Sequence, residues 1–262
     1  MASETCALDT IGARFVRQVD RGEMVIISRR GIESRRPFAR LPGRFCVFEH
    51  IYFGRPDSVW DKRTNYAVRK QIGRQLAREC PAQADIVVPV PDSGVHGAMG
   101  YALKSGLPFE LGLTRSHYIG RTFIDPSQVT REEMMRLKFN AIRSEVAGKR
   151  VALIDDSVVR GTTSIKVVKM LRKAGAREVH LRSTAPPYYF PCFLGIDTPK
   201  QEDLLAYRFK GDLDKMAKHL GVDSLGYISI PGLYQAIQRV PGDPDELALC
   251  AGCFSGEYPK YD

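Results

Sequence analysis

Short apolar runs alternate with helically spaced apolar positions through the middle of the chain, and that alternation predicts most of the fold. Val68, Ile72 and Leu76 recur every four residues in Asn65–Arg78, the spacing of one helix face. Asp85–Pro89 (DIVVP), Lys149–Ile154 and Glu178–Ser183 (EVHLRS) read as short buried strands, and Phe109–Leu113 as a further strand. Val95–Lys104 reads as a helix ended by Gly106–Leu107–Pro108. Thr163–Ala174 sets Val167, Leu171 and Ala174 inward and Lys166, Lys169 and Lys173 outward, with Gly175 as its stop. Strands alternating with helices predict an α/β domain whose parallel sheet is flanked by helices.

The two ends follow the pattern less well. Ala13–Ile27 alternates around Asp20–Gly22 and predicts two short strands with a turn, followed by a charged connector over Arg29–Phe38. Tyr118–Ser144 is long and polar, too long for an idle connection, and reads as a lid. Beyond Pro186 the pattern fades, apart from a helix at Leu213–Leu220 stopped by Gly221. The tail Pro241–Asp262 is rich in Pro and Gly. The expected division is residues 1–38 as strands and connector, 39–240 as the main domain, and 241–262 as a small C-terminal extension.

Composition narrows the class without fixing it. The 262 residues are 44% apolar and 26% charged, ordinary for a globular protein. No apolar run approaches the ~18 residues that a membrane span needs, and Met1–Thr10 lacks the form of a signal peptide. The expectation is a cytoplasmic protein with no membrane partner. A net charge of +9 suits an anionic ligand. No nucleic-acid-binding signature accompanies it, so a phosphorylated small molecule is expected and nucleic acid is not.

The most informative stretch is Val151–Ser164, VALIDDSVVRGTTS. It runs from an apolar strand through two acids to small hydroxyl residues and glycine at a helix start. Free backbone N–H groups and hydroxyls at Gly161, Thr162, Thr163 and Ser164 favour a phosphate dianion. Asp155 and Asp156 would repel that phosphate, but they suit the two hydroxyls of a ribose or a magnesium ion beside it. A Walker loop would need Gly-Lys-Ser/Thr where Arg160–Gly161–Thr162 stands, and no G-x-G-x-x-G occurs. The plain alternative, an acidic surface turn, competes poorly with two acids set between a buried strand and a Gly-Thr-Thr-Ser helix start.

This stretch resembles the phosphoribosyl diphosphate signature of type I phosphoribosyltransferases, in the wording of the amidophosphoribosyltransferase branch. Cys46–Ser58 (CVFEHIYFGRPDS), Val88–Gly94 (VPVPDSG), Arg115–Ile124 (RSHYIGRTFI) and Pro191–Asp197 (PCFLGID) resemble the same branch, and the similarity runs from Ala2 to about Pro259. The resemblance implies the type I phosphoribosyltransferase fold. It implies that Asp92, Ser93, Gly94, Asp155, Asp156, Ser157, Arg160, Gly161, Thr162, Thr163 and Ser164 bind phosphoribosyl diphosphate. Asp92–Gly94 would offer N–H groups to the diphosphate, and Ser93 would join Asp155 and Asp156 around Mg2+, although an N-cap role also accounts for Ser93. In the lid, Tyr118, Arg121 and Lys138 take catalytic roles, the two cations on the diphosphate and the tyrosine beside the path of ammonia. Leu137–Lys138–Phe139–Asn140–Ala141 departs from the leucine-asparagine-proline that usually follows the lysine, which bears on the lid's hinge.

The six cysteines are not expected to form disulfides in a cytosolic chain. Cys250 and Cys253 form a C-x-x-C that by itself suggests zinc or redox chemistry. Cys46 and Cys192 fall in the two motifs where the iron–sulfur branch carries its other ligands. The resemblance therefore implies a [4Fe–4S] cluster on Cys46, Cys192, Cys250 and Cys253, with zinc or free thiols as the other readings. Cys6 and Cys80 are read as packing residues.

The implied activity is the purine biosynthetic step that forms 5-phosphoribosylamine and diphosphate from phosphoribosyl diphosphate and ammonia. The family enzyme takes ammonia from glutamine through a glutaminase domain. That domain is not found in this sequence, so glutamine-dependent activity is not expected from the chain alone. Purine nucleotide inhibitors and a homo-oligomer are further implied. The alternatives are a non-catalytic phosphoribosyl diphosphate-binding regulator or an inactive remnant.

Overall fold

The computed structural model describes residues 1–41, 43–116, 139–198, 200–242 and 248–259. Its centre is a parallel four-stranded sheet in the order Ser224–Tyr227, Glu178–Ser183, Arg150–Asp155, Ile86–Pro89. Successive strand residues face opposite sides. Ala152 and Ile154, with Val87, pack under Val68, Ile72 and Leu76 of the Asn65–Glu79 helix, beside the Val95–Ser105 and Ile230–Gln238 helices. Val151 and Leu153, with Ile86 and Val88, meet Val167 and Leu171 of the Thr162–Lys173 helix and Met216 and Leu220 of the Leu213–Leu220 helix. Both faces are thus covered, as near-continuous apolar strands require. Burying each Leu or Ile here contributes roughly 1.5–3 kcal/mol, which fixes the sheet whose strand ends carry the polar residues described below.

The central elements stand where the periodicity puts them, within about two residues. Four readings need correction. The N-terminal hairpin pairs Met24–Ser28 with Gly31–Arg35, so its turn is at Arg29–Arg30. The connector expected over Arg29–Phe38 therefore contains a strand, and residues 13–20 do not form one. Gly22, at φ 75°, does turn the chain, but Glu23 then accepts from Arg17, Ser34 and the Asp20 N–H, so side chains hold this segment in place of a ladder. Phe109 makes only a single bridge, to Val87, and the strand lies at Leu113–Arg115, antiparallel to Phe139–Ala141.

The expected lid is correspondingly too long. Phe139–Ala141 is a strand and Arg143–Val146 a short helix, while residues 117–138 lie outside the described part of the chain. Finally, the faded pattern beyond Pro186 hid a strand, Ser224–Tyr227, and a helix, Ile230–Gln238. Pro231 would break a helix interior, yet here it occupies the first turn, where its missing N–H costs nothing. Ser229 caps that helix by accepting from the Gly232 N–H at 2.9 Å.

Candidate functional site

A cavity of about 1140 Å3 opens over the C-terminal ends of the parallel strands, the place where such sheets bind ligands. Asp155 ends one strand, and Asp156 and Ser157 follow it into the cavity wall. The two carboxylate oxygens of Asp156 accept from Ser93 Oγ at 2.6 Å and Ser157 Oγ at 2.7 Å. Asp155 Oδ1 accepts the Asp156 N–H at 2.9 Å. Burial, and next the adjacent Asp156 charge, push the Asp155 carboxyl well above the usual carboxylate range. Ser93, Asp155 and Asp156 together offer oxygen ligands, and a hard cation among them would favour the ionised form that burial disfavours at Asp155.

Across the cavity, the Thr162–Lys173 helix begins at Gly161, at φ 79°, and no side chain caps it. Its first-turn N–H groups have no intrahelical partners, and Thr162, Thr163 and Ser164 line the cavity. Glycine is needed at 161 twice over, since a Cβ there would be strained and would stand 2.8 Å from Leu220 Cδ2. Arg160 lines the same wall, 3.9 Å from Asp203.

The loop after Ile86–Pro89 forms the third wall. Asp92 and Ser93 line the cavity and Gly94 does not. The Gly94 N–H donates to Val90 O at 2.9 Å, so at most Asp92 and Ser93 offer loop N–H groups to a ligand. Gly94 serves by closeness instead, because a Cβ there would lie 2.5 Å from Ile154 O. Asp92 is ion-paired with Arg115. Two further basic side chains reach this wall from inward helix positions, Arg69 and His96. Arg69 is 6% exposed and donates to the carbonyls of His50 and Gly54 at 2.7 and 2.6 Å. Burial pulls its pKa down, with Asp156 opposing. Arg69 and His96 escape a reading based on periodicity, which treats helix faces as core. Their one signal is a basic residue set among inward apolar neighbours. Tyr118, Arg121 and Lys138 lie outside the described residues.

A second cavity, of about 780 Å3, shares Phe53, Gly195 and Ile196 with the first and is lined by Cys46, Cys192 and Cys250. Phe45–Cys46 and Leu249–Cys250 pair as parallel strands with the two cysteines in register. Cys253 is buried nearby, in a short helix at Gly252–Ser255. Burial raises the Cys253 thiol strongly, with Cys46, Cys192 and Cys250 each adding to it. Cys46 is raised too, by burial first and then by Cys250 and Cys192. Three segments, carrying Cys46, Cys192 and the Cys250–Cys253 pair, thus bring four thiols within electrostatic reach of one another. Among the described residues, no three His, Cys, Asp or Glu side chains draw together tightly enough to hold a metal ion. The donor set is nevertheless all sulfur, drawn from three segments, the chemistry that soft-metal sites require. Cys6 is buried against Ser58 Oγ at 3.1 Å, and Cys80 Sγ lies 3.2 Å from Tyr227 O, as packing residues would.

Residues 64–185 match the phosphoribosyl transferase domain family. The chain is 50% identical over 262 residues to an amidophosphoribosyltransferase of Rhizobium etli, covering 98% of this chain and 53% of that protein. It is 46% identical over 259 residues to the amidophosphoribosyltransferase of Bacillus subtilis, covering 99% and 54%. The solved structure of a glutamine phosphoribosylpyrophosphate amidotransferase from B. subtilis, complexed with ADP and GMP, superposes with a TM-score of 0.87 at 46% identity, covering 98% of this chain and 56% of that one. The chain spans about half the length of the curated relatives it matches. It carries a phosphoribosyl transferase domain with the type I phosphoribosyltransferase fold, and over nearly its whole length it is similar to amidophosphoribosyltransferases.

Proposed function

We propose that this chain transfers the phosphoribosyl group of phosphoribosyl diphosphate to ammonia, giving 5-phosphoribosylamine and diphosphate in purine biosynthesis. The observation that carries the reading is the single cavity in which Asp155 and Asp156, the Gly161–Ser164 helix start and the Asp92–Ser93 loop converge. Each wall suits one part of the substrate. The helix start takes the 5-phosphate, the two aspartates take the ribose diol, and the loop, with Arg69 and Arg115 beside it, takes the diphosphate. The C1–O bond to diphosphate breaks as the C1–N bond forms, and the added nitrogen loses a proton. Positioning and charge stabilisation drive such a displacement, with no protein nucleophile needed.

Ser93, Asp155 and Asp156 would hold Mg2+, which supplies neutralising charge for the diphosphate when bound. Tyr118, Arg121 and Lys138 are proposed to complete the site. Cys46, Cys192, Cys250 and Cys253 would hold a [4Fe–4S] cluster that pins the tail to the domain in a structural role. Purine nucleotides are proposed as inhibitors, since the B. subtilis relative was solved with ADP and GMP. A homo-oligomer working in the cytoplasm completes the reading.

The test is formation of 5-phosphoribosylamine from phosphoribosyl diphosphate and ammonium at alkaline pH, run beside direct measurement of substrate binding. Turnover supports the reading. Binding without turnover would move the chain to a regulator or inactive remnant. For the cluster, anaerobically purified protein should absorb broadly in the visible and contain iron; colourless, iron-free protein overturns that part.

A further inference from the structure

The wall beside the diphosphate loop holds a side chain to which the reaction above gives no task. His96 lines the same cavity as Asp92, Ser93 and Arg69. It is the second residue of the Val95–Ser105 helix, directly beyond the loop. Its ring meets Tyr66 edge-on, with centroids 5.1 Å apart, and the Lys70 ammonium lies 5.1 Å from the centre of that tyrosine ring. His96 Nδ1 is buried and has no hydrogen-bond partner among the described residues.

That orphaned nitrogen decides the tautomer. A buried N–H without an acceptor is rarer and costlier than a bare acceptor lone pair, so the proton of the neutral ring belongs on Nε2. Burial favours this neutral form, and the Arg69 and Lys70 charges add to it. Nε2–H is then the ring's one donor and the nitrogen left to serve the cavity. The leaving group needs such a donor. Diphosphate carries several negative charges, whereas the loop has its Gly94 N–H engaged with Val90 O and its Asp92 carboxylate facing Arg115.

We propose that His96 donates through Nε2–H to the diphosphate of bound phosphoribosyl diphosphate and of the product, making it a diphosphate-specific binding residue of this site. The proposal rests on the phosphoribosyl transfer reading above and adds a residue to it. A group that serves the leaving end has no contact with the ribose 5-phosphate end, and that separation makes it testable.

Calorimetric titration of the chain with inorganic diphosphate plus Mg2+, and separately with ribose 5-phosphate, tests it in the wild type and in His96→Ala, His96→Phe and His96→Gln. His96→Phe keeps the ring packing against Tyr66 but removes the donor. Ala and Phe should each weaken diphosphate about tenfold, the scale of one hydrogen bond to a charged group, and leave ribose 5-phosphate within about twofold. Gln, whose amide N–H can replace Nε2–H, should recover most of the loss. Unchanged diphosphate affinity in His96→Phe, or equal losses for both ligands, overturns the proposal. Wild-type protein that binds neither ligand overturns the phosphoribosyl transfer reading instead.

Discussion

The two cavities share Phe53, Gly195 and Ile196, yet they are made from opposite materials and by opposite routes. The larger is walled by oxygen and nitrogen donors, most of them placed within a few residues of a sheet strand's end. The smaller includes the sulfurs of Cys46, Cys192 and Cys250 in its lining, and the Cys46 and Cys250 segments, about two hundred residues apart, are joined by a two-residue strand pair. A site built on strand ends inherits its geometry from the core beneath it. A site built from scattered segments has no such frame and must help to hold those segments together. Changes in the first should therefore cost chemistry, and changes in the second should cost stability.

The largest expected effect lies at a strand end. Asp156→Asn should lower kcat/KM about a thousandfold, or ~4 kcal/mol in the barrier. Asp155→Asn should leave the thermal midpoint no lower, because burial already disfavours that charge. Wild-type turnover in Asp156→Asn would break the comparison at its first term.

His50 sits between the two regions. Its ring lies 4.9 Å from Phe45, centroid to centroid, and its carbonyl accepts from Arg69. Its Nδ1 is paired with Asn65 Oδ1 at 2.8 Å, and burial above all pulls its pKa down to about 4. The unfolded chain takes up this proton near pH ~6.5, before the folded one does. Stability should therefore be full above that pH and fall as pH drops towards about 4, by on the order of 3 kcal/mol. Denaturant titrations across this window should show the slope, and His50→Gln should flatten it.

Next come the thiols. With the proposed cluster bound, Cys253→Ser should remove iron and visible absorbance and lower the thermal midpoint by about 5 °C, roughly 2 kcal/mol. Diphosphate and ribose 5-phosphate should still bind. A cysteine variant that kept its melting point but lost turnover would reverse the division of labour between the cavities. The smallest effect is at Gly161→Ala, where the left-handed backbone and the close Leu220 side chain should cost about 1 kcal/mol of stability. Ribose 5-phosphate affinity should fall with it, as a calorimetric titration would show.

How much of this was legible in the sequence follows the same division. Asp155, Asp156 and Gly161–Ser164 could be read because strand, acids and helix start are contiguous, so local order already implies spatial order. The helix at Ile230–Gln238 was hidden because Pro231 breaks most helix patterns but is harmless in a first turn. The N-terminal pairing was misplaced because Gly31–Arg35 has one apolar residue and is exposed throughout, leaving no period to read. Arg69 and His96 were missed because a nitrogen-bearing side chain on a helix face carries no sign of what it faces.

By itself, then, the sequence determined the alternating parallel architecture and the order of strand, acids and hydroxyl-rich helix start in the one turn for which a ribose phosphate is proposed. Both are short-range consequences of side-chain period and backbone donors. Only the tertiary structure decided that Cys46 lies in register with Cys250, that Gly94 gives its N–H to Val90, and that Arg69 and His96 turn towards the cavity. Those outcomes depend on packing between elements far apart in the chain, where the energy of bringing residues together is set by the whole core and by no local pattern.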